Sequence, residues 1–252
     1  MARSIVKEAV STELARTTKL ARLIRGLRRR PTQWSAGWIT YWQLSQLPSS
    51  RRGDLFRAYQ NVFAEKPWEE HWTERTFAQK LVRELSIPDI PQYSEDLVFL
   101  TLVDGDDDFP VGAFCWGAVV DNETIPGRVL SARRFSGKDV DKITEATSHI
   151  IGKRLVYVDD MGVVARFRGG PLPVAKLCYP PAWLATNLQL EVICWSDAAS
   201  RLSPILDAYG WRRLCEVSDV AFFYQDVAGI TDKAQQIQEM VAGLGQSLKP
   251  LF

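Results

Sequence analysis

The sequence predicts a mixed α/β protein built on a central, mostly antiparallel sheet with helices on both faces. Three observations predict this. Runs rich in β-branched and aromatic residues alternate with segments whose apolar residues recur at helical spacing, in the order β-α-α-β-β-β-α-β-α-β-β with an extra helix at each end. Two of the strand-like runs are neighbours joined by a polar turn, which makes a hairpin. Finally, 46% hydrophobic residues in a chain of 252 supply an ample core for one large domain with extensions.

Residues 1–30 carry nine Lys/Arg against two acids, Glu8 and Glu13. Leu20, Leu23, Ile24 and Leu27 share one helical face, and Pro31 stops the helix. Residues 1–31 therefore read as a basic helical extension docked by its leucines with its charges solvated. An arm for a membrane surface, nucleic acid or an acidic partner is the other reading. The main domain runs from 32 to 228. Its first strand is Gly37–Leu44, rich in aromatic and β-branched residues. A helix begins at Gly53-Asp54 with Leu55, Tyr59, Val62 and Phe63 on its inner face, and Pro67 breaks it. A second helix follows through Trp72, Phe77, Leu81, Val82 and Leu85, and a loop around Pro88 and Pro91 closes it.

Glu95–Val103 and Val111–Val120 form the hairpin, joined by the acidic turn Asp104–Asp108 and Pro110. Residues 121–153 read as an insertion, helical from Lys138 to Ile151. The strand Leu155–Val164 comes next, then a helix from about Leu172 interrupted at Pro180-Pro181. Leu190–Trp195 is a strand, Ser200–Asp207 a short helix closed by Tyr209-Gly210-Trp211, and Trp211–Val217 and Val220–Asp226 two final strands. A helix from about Thr231 to Leu244 lies in the C-terminal segment 229–252.

Charge and composition exclude several classes. A net charge of +1 offers no global field for nucleic acid. Cys115, Cys178, Cys194 and Cys215 lack any metal-ligand spacing and lie in apolar runs, so they read as buried free thiols of a reducing compartment. Two histidines, His71 and His149, are too few for a multi-histidine metal site. No apolar run reaches the ~20 residues of a bilayer span, and the N-terminus lacks the apolar core of a secretion signal. The expectation is a soluble, cytoplasmic protein without a metal.

The chemistry concentrates in Leu155-Val-Tyr-Val-Asp-Asp-Met-Gly-Val-Val164 and the following Arg166-Phe-Arg-Gly-Gly-Pro-Leu-Pro173. The first is an apolar strand interrupted by two carboxylates. The second is a basic, glycine-bearing turn into a helix, where backbone N–H groups and the helix dipole hold a phosphate. Four segments resemble, in order and spacing, the GNAT superfamily of N-acyltransferases. Phe63-Ala-Glu-Lys-Pro-Trp-Glu-Glu70 resembles the family's link between its first two helices, and Tyr157–Val163 its fourth strand. Arg168–Pro173 stands where the family has its R-G-x-G-x-G pyrophosphate loop, and Ile205–Trp211 where it reads L-Y-x-x-x-G-F. The likeness spans about residues 37–227.

The resemblance implies a GNAT-like sheet and the transfer of an acetyl or other acyl group from acyl-CoA, as co-substrate, to a primary amine of a small molecule or peptide. The resemblance is also compatible with a homodimer. It sets pantetheine along Met161, Gly162 and Val163, and the pyrophosphate at Arg166, Arg168 and the N–H groups of Gly169, Gly170 and Leu172. Ser200 and Ser203 are weaker donors nearby, and Trp68, Glu69 and Glu70 belong to the acceptor side. Asp159 and Asp160 are the candidate bases. Neighbours on a strand point to opposite faces, so at most one of them faces the acceptor, where a desolvated carboxylate takes a proton from an ammonium. Two departures stand out. Pro171 and Pro173 replace loop glycines and donate no N–H, and the family's acid tyrosine falls on Leu206, leaving Tyr209 as the nearest substitute. These departures keep two other readings open: a non-catalytic binding or regulatory protein of the same fold, and an acyltransferase that uses an acyl carrier protein.

Overall fold

A computed structural model describes residues 49–85, 98–131, 135–150, 154–168 and 171–243. The basic extension 1–31, the strand expected at 37–44, the loop at Pro88 and Pro91, and Gly169 and Gly170 lie outside the described residues.

The first helix, α1 (Ser49–Phe63), buries Leu55, Ala58, Tyr59, Val62 and Phe63, the i, i+3, i+4, i+7, i+8 pattern of a single inward stripe. Ahead of α2 (Glu74–Leu85), Thr73 and Thr76 cap one another: the backbone N–H of each donates to the other's hydroxyl, at 3.0 and 3.2 Å. The expected hairpin is β1 (Val98–Asp104) and β2 (Val111–Asp121), antiparallel across a turn in which Asp106 Oδ1 accepts from the N–H groups of Asp108 and Phe109. Two helices, α3 (Ile125–Ser131) and α4 (Gly137–Thr147), occupy the insertion. A capping box between Ser136 and Asp139 starts α4.

Strand β3 (Arg154–Val163) leads into α5 (Pro171–Leu188) and β4 (Glu191–Asp197). Then come α6 (Leu202–Ala208), the hairpin β5 (Arg212–Val217) and β6 (Val220–Gln225), and α7 (Val227–Gly243). Ser218 and Asp219 both have positive φ, which gives the β5–β6 hairpin the two-residue turn whose twist matches its strands. One expectation fails here. Helix α5 runs unbroken through Pro180-Pro181. The missing N–H groups and ring crowding cost about 3 kcal/mol, and burial of Leu177, Ala182, Leu184, Ala185 and Leu188 on the same helix offsets it.

The six strands lie in the order β1-β2-β3-β4-β6-β5, and every neighbouring pair is antiparallel except β3–β4. Side-chain alternation on β2 shows the layers. Phe114 and Trp116 stack against Tyr59 of α1, while Cys115 between them faces Cys178 of α5. Helices therefore cover both faces of a mixed, mostly antiparallel sheet. Among the described residues no helix is long and apolar enough to cross a membrane, and the four cysteines are free thiols.

Candidate active site

The parallel pair β3–β4 is joined over three residue pairs only: Leu155 with Glu191, Val156 with Val192, and Tyr157 with Ile193. Beyond Tyr157 the strands part. On the opposite edge of β3 the register with β2 slips at the same level, because Trp116 faces Asp160 while Gly117 faces Val158. Asp159 is the extra residue of a β-bulge. Only glycine fits opposite it: a Cβ on Gly117 would lie 2.0 Å from the carbonyl oxygen of Tyr157 and 2.9 Å from the Phe99 ring. The bulge suspends the strand's alternation, so Asp159 and Asp160 both line the cleft where β3 and β4 part.

The cleft opens to solvent. Phe63, Trp68, Met161, Cys194, Trp195 and Leu202 give it apolar walls, and Ser196 adds a hydroxyl. Trp68, from the α1–α2 connection, meets Trp195 of β4 edge to face at 5.8 Å and Phe63 at 5.4 Å, so aromatic rings close one side.

Behind the carboxylates lies a buried charge cluster. Lys80 of α2 pairs with Asp160 at 2.7 Å and with Glu84 one turn along its own helix. Glu84 also accepts from Trp116 Nε1 at 3.0 Å. Arg128 of α3 contacts both oxygens of Asp159, at 3.1 and 3.0 Å, and donates to the carbonyl of Glu84. Glu70 accepts from Trp72 Nε1 at 2.8 Å and from the Tyr59 hydroxyl at 3.2 Å. Burial pushes the Asp159 carboxyl up to about 7, since the opposing pull of Arg128 does not fully compensate the loss of water and the nearby Glu84 charge adds to the rise. Burial likewise holds Asp160 well above the carboxylate range, with Lys80 opposing and Glu84 reinforcing. Burial alone would lower Lys80, but Asp160 and Glu84 together keep it above the usual lysine range. Among the described residues, two cations here face four carboxylates (Glu70, Glu84, Asp159 and Asp160). Lys80 therefore stays charged.

The residues of the basic turn are arranged differently. Arg168 Nε donates to the carbonyl of Val163 at 2.8 Å, and its Nη1 pairs with Glu65 at 2.7 Å. Arg166 pairs with Asp106 and Asp108 of the hairpin turn, at 3.0 and 2.6 Å. Leu172 lies in the first turn of α5 between Pro171 and Pro173. On β3, Val164 N–H donates to Gly112 of β2. Gly162 is turned the same way, and Met161 and Val163 present their backbone to the parting side. Gly162 is required by packing, as a Cβ there would meet the Phe114 ring at 2.6 Å and Val62 at 2.8 Å.

Other sequence candidates are less central. Ser203 is buried and donates to the carbonyl of Asp197, and Ser200 accepts from the N–H groups of Leu202 and Ser203 at the start of α6, so both serve that helix. Ser200 also exchanges a 2.6 Å hydrogen bond with Ser196 of the cleft wall. Tyr209 is 51% exposed beyond the far end of α6, with Lys233 over its ring, and it does not line the cleft. Glu69 is exposed in a positive-φ turn beside Trp68, whereas Glu70 points inward. The candidate base, cleft aromatics and Glu70 thus come together, while Tyr209, Ser203 and Glu69 stand apart.

Sequence reasoning missed Lys80, Glu84, Arg128 and Ser196. One signal was present. Phe77, Lys80, Leu81 and Glu84 fall at i, i+3, i+4, i+7, so two opposite charges sit on the apolar stripe of α2. Among the described residues no three His, Cys, Asp or Glu side chains are grouped to hold a metal ion.

No protein-family model and no curated protein matches this chain. Among solved structures, the chain is similar to a serine-to-alanine mutant of agmatine N-acetyltransferase in its apo form, at 13% identity over 72% of this chain and 97% of that one, with a TM-score of 0.45. It is similar also to arylalkylamine N-acetyltransferase 2 from Aedes aegypti, at 13% identity over 76% and 99% of the two chains and the same TM-score of 0.45.

Proposed function

We propose that the protein is an N-acyltransferase that moves an acetyl or longer acyl group from acyl-CoA to a primary amine. The observation that carries this reading is the pair of buried carboxylates, Asp159 and Asp160, set by a β-bulge into an aromatic cleft between two parting parallel strands. An amine attacks a thioester carbonyl only when neutral. A carboxylate held near 7 is matched to taking the ammonium proton at neutral pH. Asp159 and Asp160 are both raised by burial and both opposed by a cation, Arg128 and Lys80 respectively. Attack at the thioester carbon forms the C–N bond, and collapse breaks the C–S bond and releases CoA thiolate. The parting-side N–H groups of Met161 and Val163 would bind the oxygen that gains charge. Ser196, with Ser200 behind it, replaces Tyr209 as the hydroxyl nearest the leaving sulfur.

Acyl-CoA fits the strand better than the turn. The pairs of Arg166 and Arg168 with their acidic partners are exposed and weakened by water, so a pyrophosphate competes for both guanidinium groups. With Pro171 and Pro173 contributing no N–H, the arginines carry most of that binding. The same observation favours a second reading, a donor carried on acyl carrier protein, which presents the pantetheine arm without a nucleotide.

The test measures thiol release from acetyl-CoA with a panel of primary amines, beside calorimetric titration of acetyl-CoA. We expect amine-dependent release that falls about 10²–10⁴-fold when both aspartates are replaced by asparagine. Acetyl-CoA that neither binds nor reacts with any amine sinks the reading for the CoA donor. Acetyl-pantetheine reacting as well as acetyl-CoA supports the carrier-protein variant.

A further inference from the structure

Lys80 stands where an apolar side chain would serve the fold as well. It occupies the inward stripe of α2 between Phe77 and Leu81 and is 8% exposed. Burying an ion pair there stabilises less than hydrophobic packing of the same volume would, because two ions lose their water. Its position relative to the cleft gives a different reason for its presence. The ammonium touches Asp160, a residue of the cleft lining, at 2.7 Å, pairs also with Glu84, and does not itself line the cleft. The rings of Tyr59 and Trp72 cover it, with centroids 5.9 and 5.8 Å away.

We propose that Lys80 is the positioning residue of the transfer reaction: it holds Asp160 in the cleft-facing geometry and sets the pH at which the aspartate pair can accept a proton. The proposal rests on the acyltransferase reading. A carboxyl group this buried keeps its proton at neutral pH unless a cation is supplied, and a protonated carboxyl group takes no proton from an amine. Lys80 supplies a cation that opposes this effect of burial for Asp160 without cancelling it, as Arg128 of α3 does for Asp159. The opposing charges are Glu84 on α2 and Glu70 before it, both of which hold Asp160 toward its protonated form. Tyr59 on α1, Tyr157 on β3 and Cys115 on β2 are kept protonated by burial well beyond neutrality. Cys178 of α5, pushed up to about 12, is neutral as well. None of these four competes with the carboxylates.

The experiment titrates the full-length protein, labelled with ¹³C at the aspartate carboxyl groups, by NMR, with Asp160→Asn assigning the Asp160 signal. Lys80→Gln is expected to raise the midpoint of that signal by about one pH unit or more, whereas Lys80→Arg stays close to the wild type. If Lys80→Gln does not fold, Lys80→Met, which keeps an unbranched apolar stem between Phe77 and Leu81 and leaves Glu84 in place, is read in the same way. With acetyl-CoA and a reactive amine, the acidic limb of kcat should move to higher pH in Lys80→Gln while KM for the amine is unchanged. A folded Lys80→Gln or Lys80→Met variant whose Asp160 midpoint coincides with the wild type overturns the proposal, as does a Lys80→Arg midpoint as high as that of Lys80→Gln. A wild-type protein that transfers no acetyl group ends Lys80's role in turnover together with the acyltransferase reading. An unshifted midpoint in an active enzyme ends the Lys80 proposal alone.

Discussion

Replacing Asp159 by asparagine should make the protein more stable above neutral pH and remove much of its stability change between weakly acidic and neutral conditions. The Asp159 carboxyl group ionises near 3.8 when unperturbed and at about 7 in the fold, because it is buried. Between those values the native state holds a proton that the unfolded chain has lost, so stability falls as pH rises. At ~1.4 kcal/mol per pH unit over about three units, the wild type should lose on the order of 4 kcal/mol across this window. The loss is complete once pH exceeds the folded value and absent below the unfolded one. Asparagine keeps an oxygen for Arg128 to donate to and carries no charge to desolvate. Urea unfolding followed by circular dichroism at several pH values between about 4 and 8 gives both curves. The difference between them should widen steadily up to neutral pH and then level off. Parallel curves would refute the reasoning and would mean that Arg128 compensates the burial of Asp159 in full.

Gly117→Ala should lower stability by more than about 2 kcal/mol in a thermal melt, because its Cβ would stand 2.0 Å from a strand carbonyl with no flexible atom to give way. Arg168→Ala should weaken acetyl-CoA binding by about 1.5–3 kcal/mol in calorimetry, the size of a charge-assisted contact, and should leave acetyl-pantetheine turnover unchanged. Trp68→Ala should raise KM for amines with an apolar body about tenfold while sparing small amines, since it removes the ring that closes the cleft against Trp195. Tyr209→Phe should leave turnover within about twofold, as its half-exposed hydroxyl is away from the cleft.

Local patterns carried most of the fold. The stripe of Leu55, Tyr59, Val62 and Phe63, the hairpin around Asp106 and the strand at 155–163 were each legible because periodicity and turn chemistry act over a few residues. The bulge at Asp159 was hidden, since it arises from Gly117, more than forty positions earlier, admitting the Tyr157 carbonyl. Strict alternation takes no account of such an extra residue, so the level at which β3 leaves its register with β2 could not be read from the sequence. The cations were hidden for a related reason. A lysine on a helix is ordinarily solvated, and the departure shows only when Lys80 is placed on the stripe with Phe77 and Leu81. The pairing of Arg166 with Asp106 and Asp108 and of Arg168 with Glu65 joins segments remote in sequence, and no local pattern announces it. In α5, the same proline rule that correctly ends many helices was overridden by the burial of the helix on the sheet.

The short ladder between β3 and β4 divides the sheet into two panels, β1-β2-β3 and β4-β6-β5, stitched by three residue pairs. Helix α5 lies across that seam as a backing strip, packed on β1, β2 and β3 of one panel and on β4 of the other. Such a join bends more easily than it tears: the panels can rotate about the seam while each keeps its own hydrogen bonds and α5 keeps the apolar layer covered. Slow amide exchange should therefore extend through both panels and end abruptly at Tyr157 on the seam side of β3.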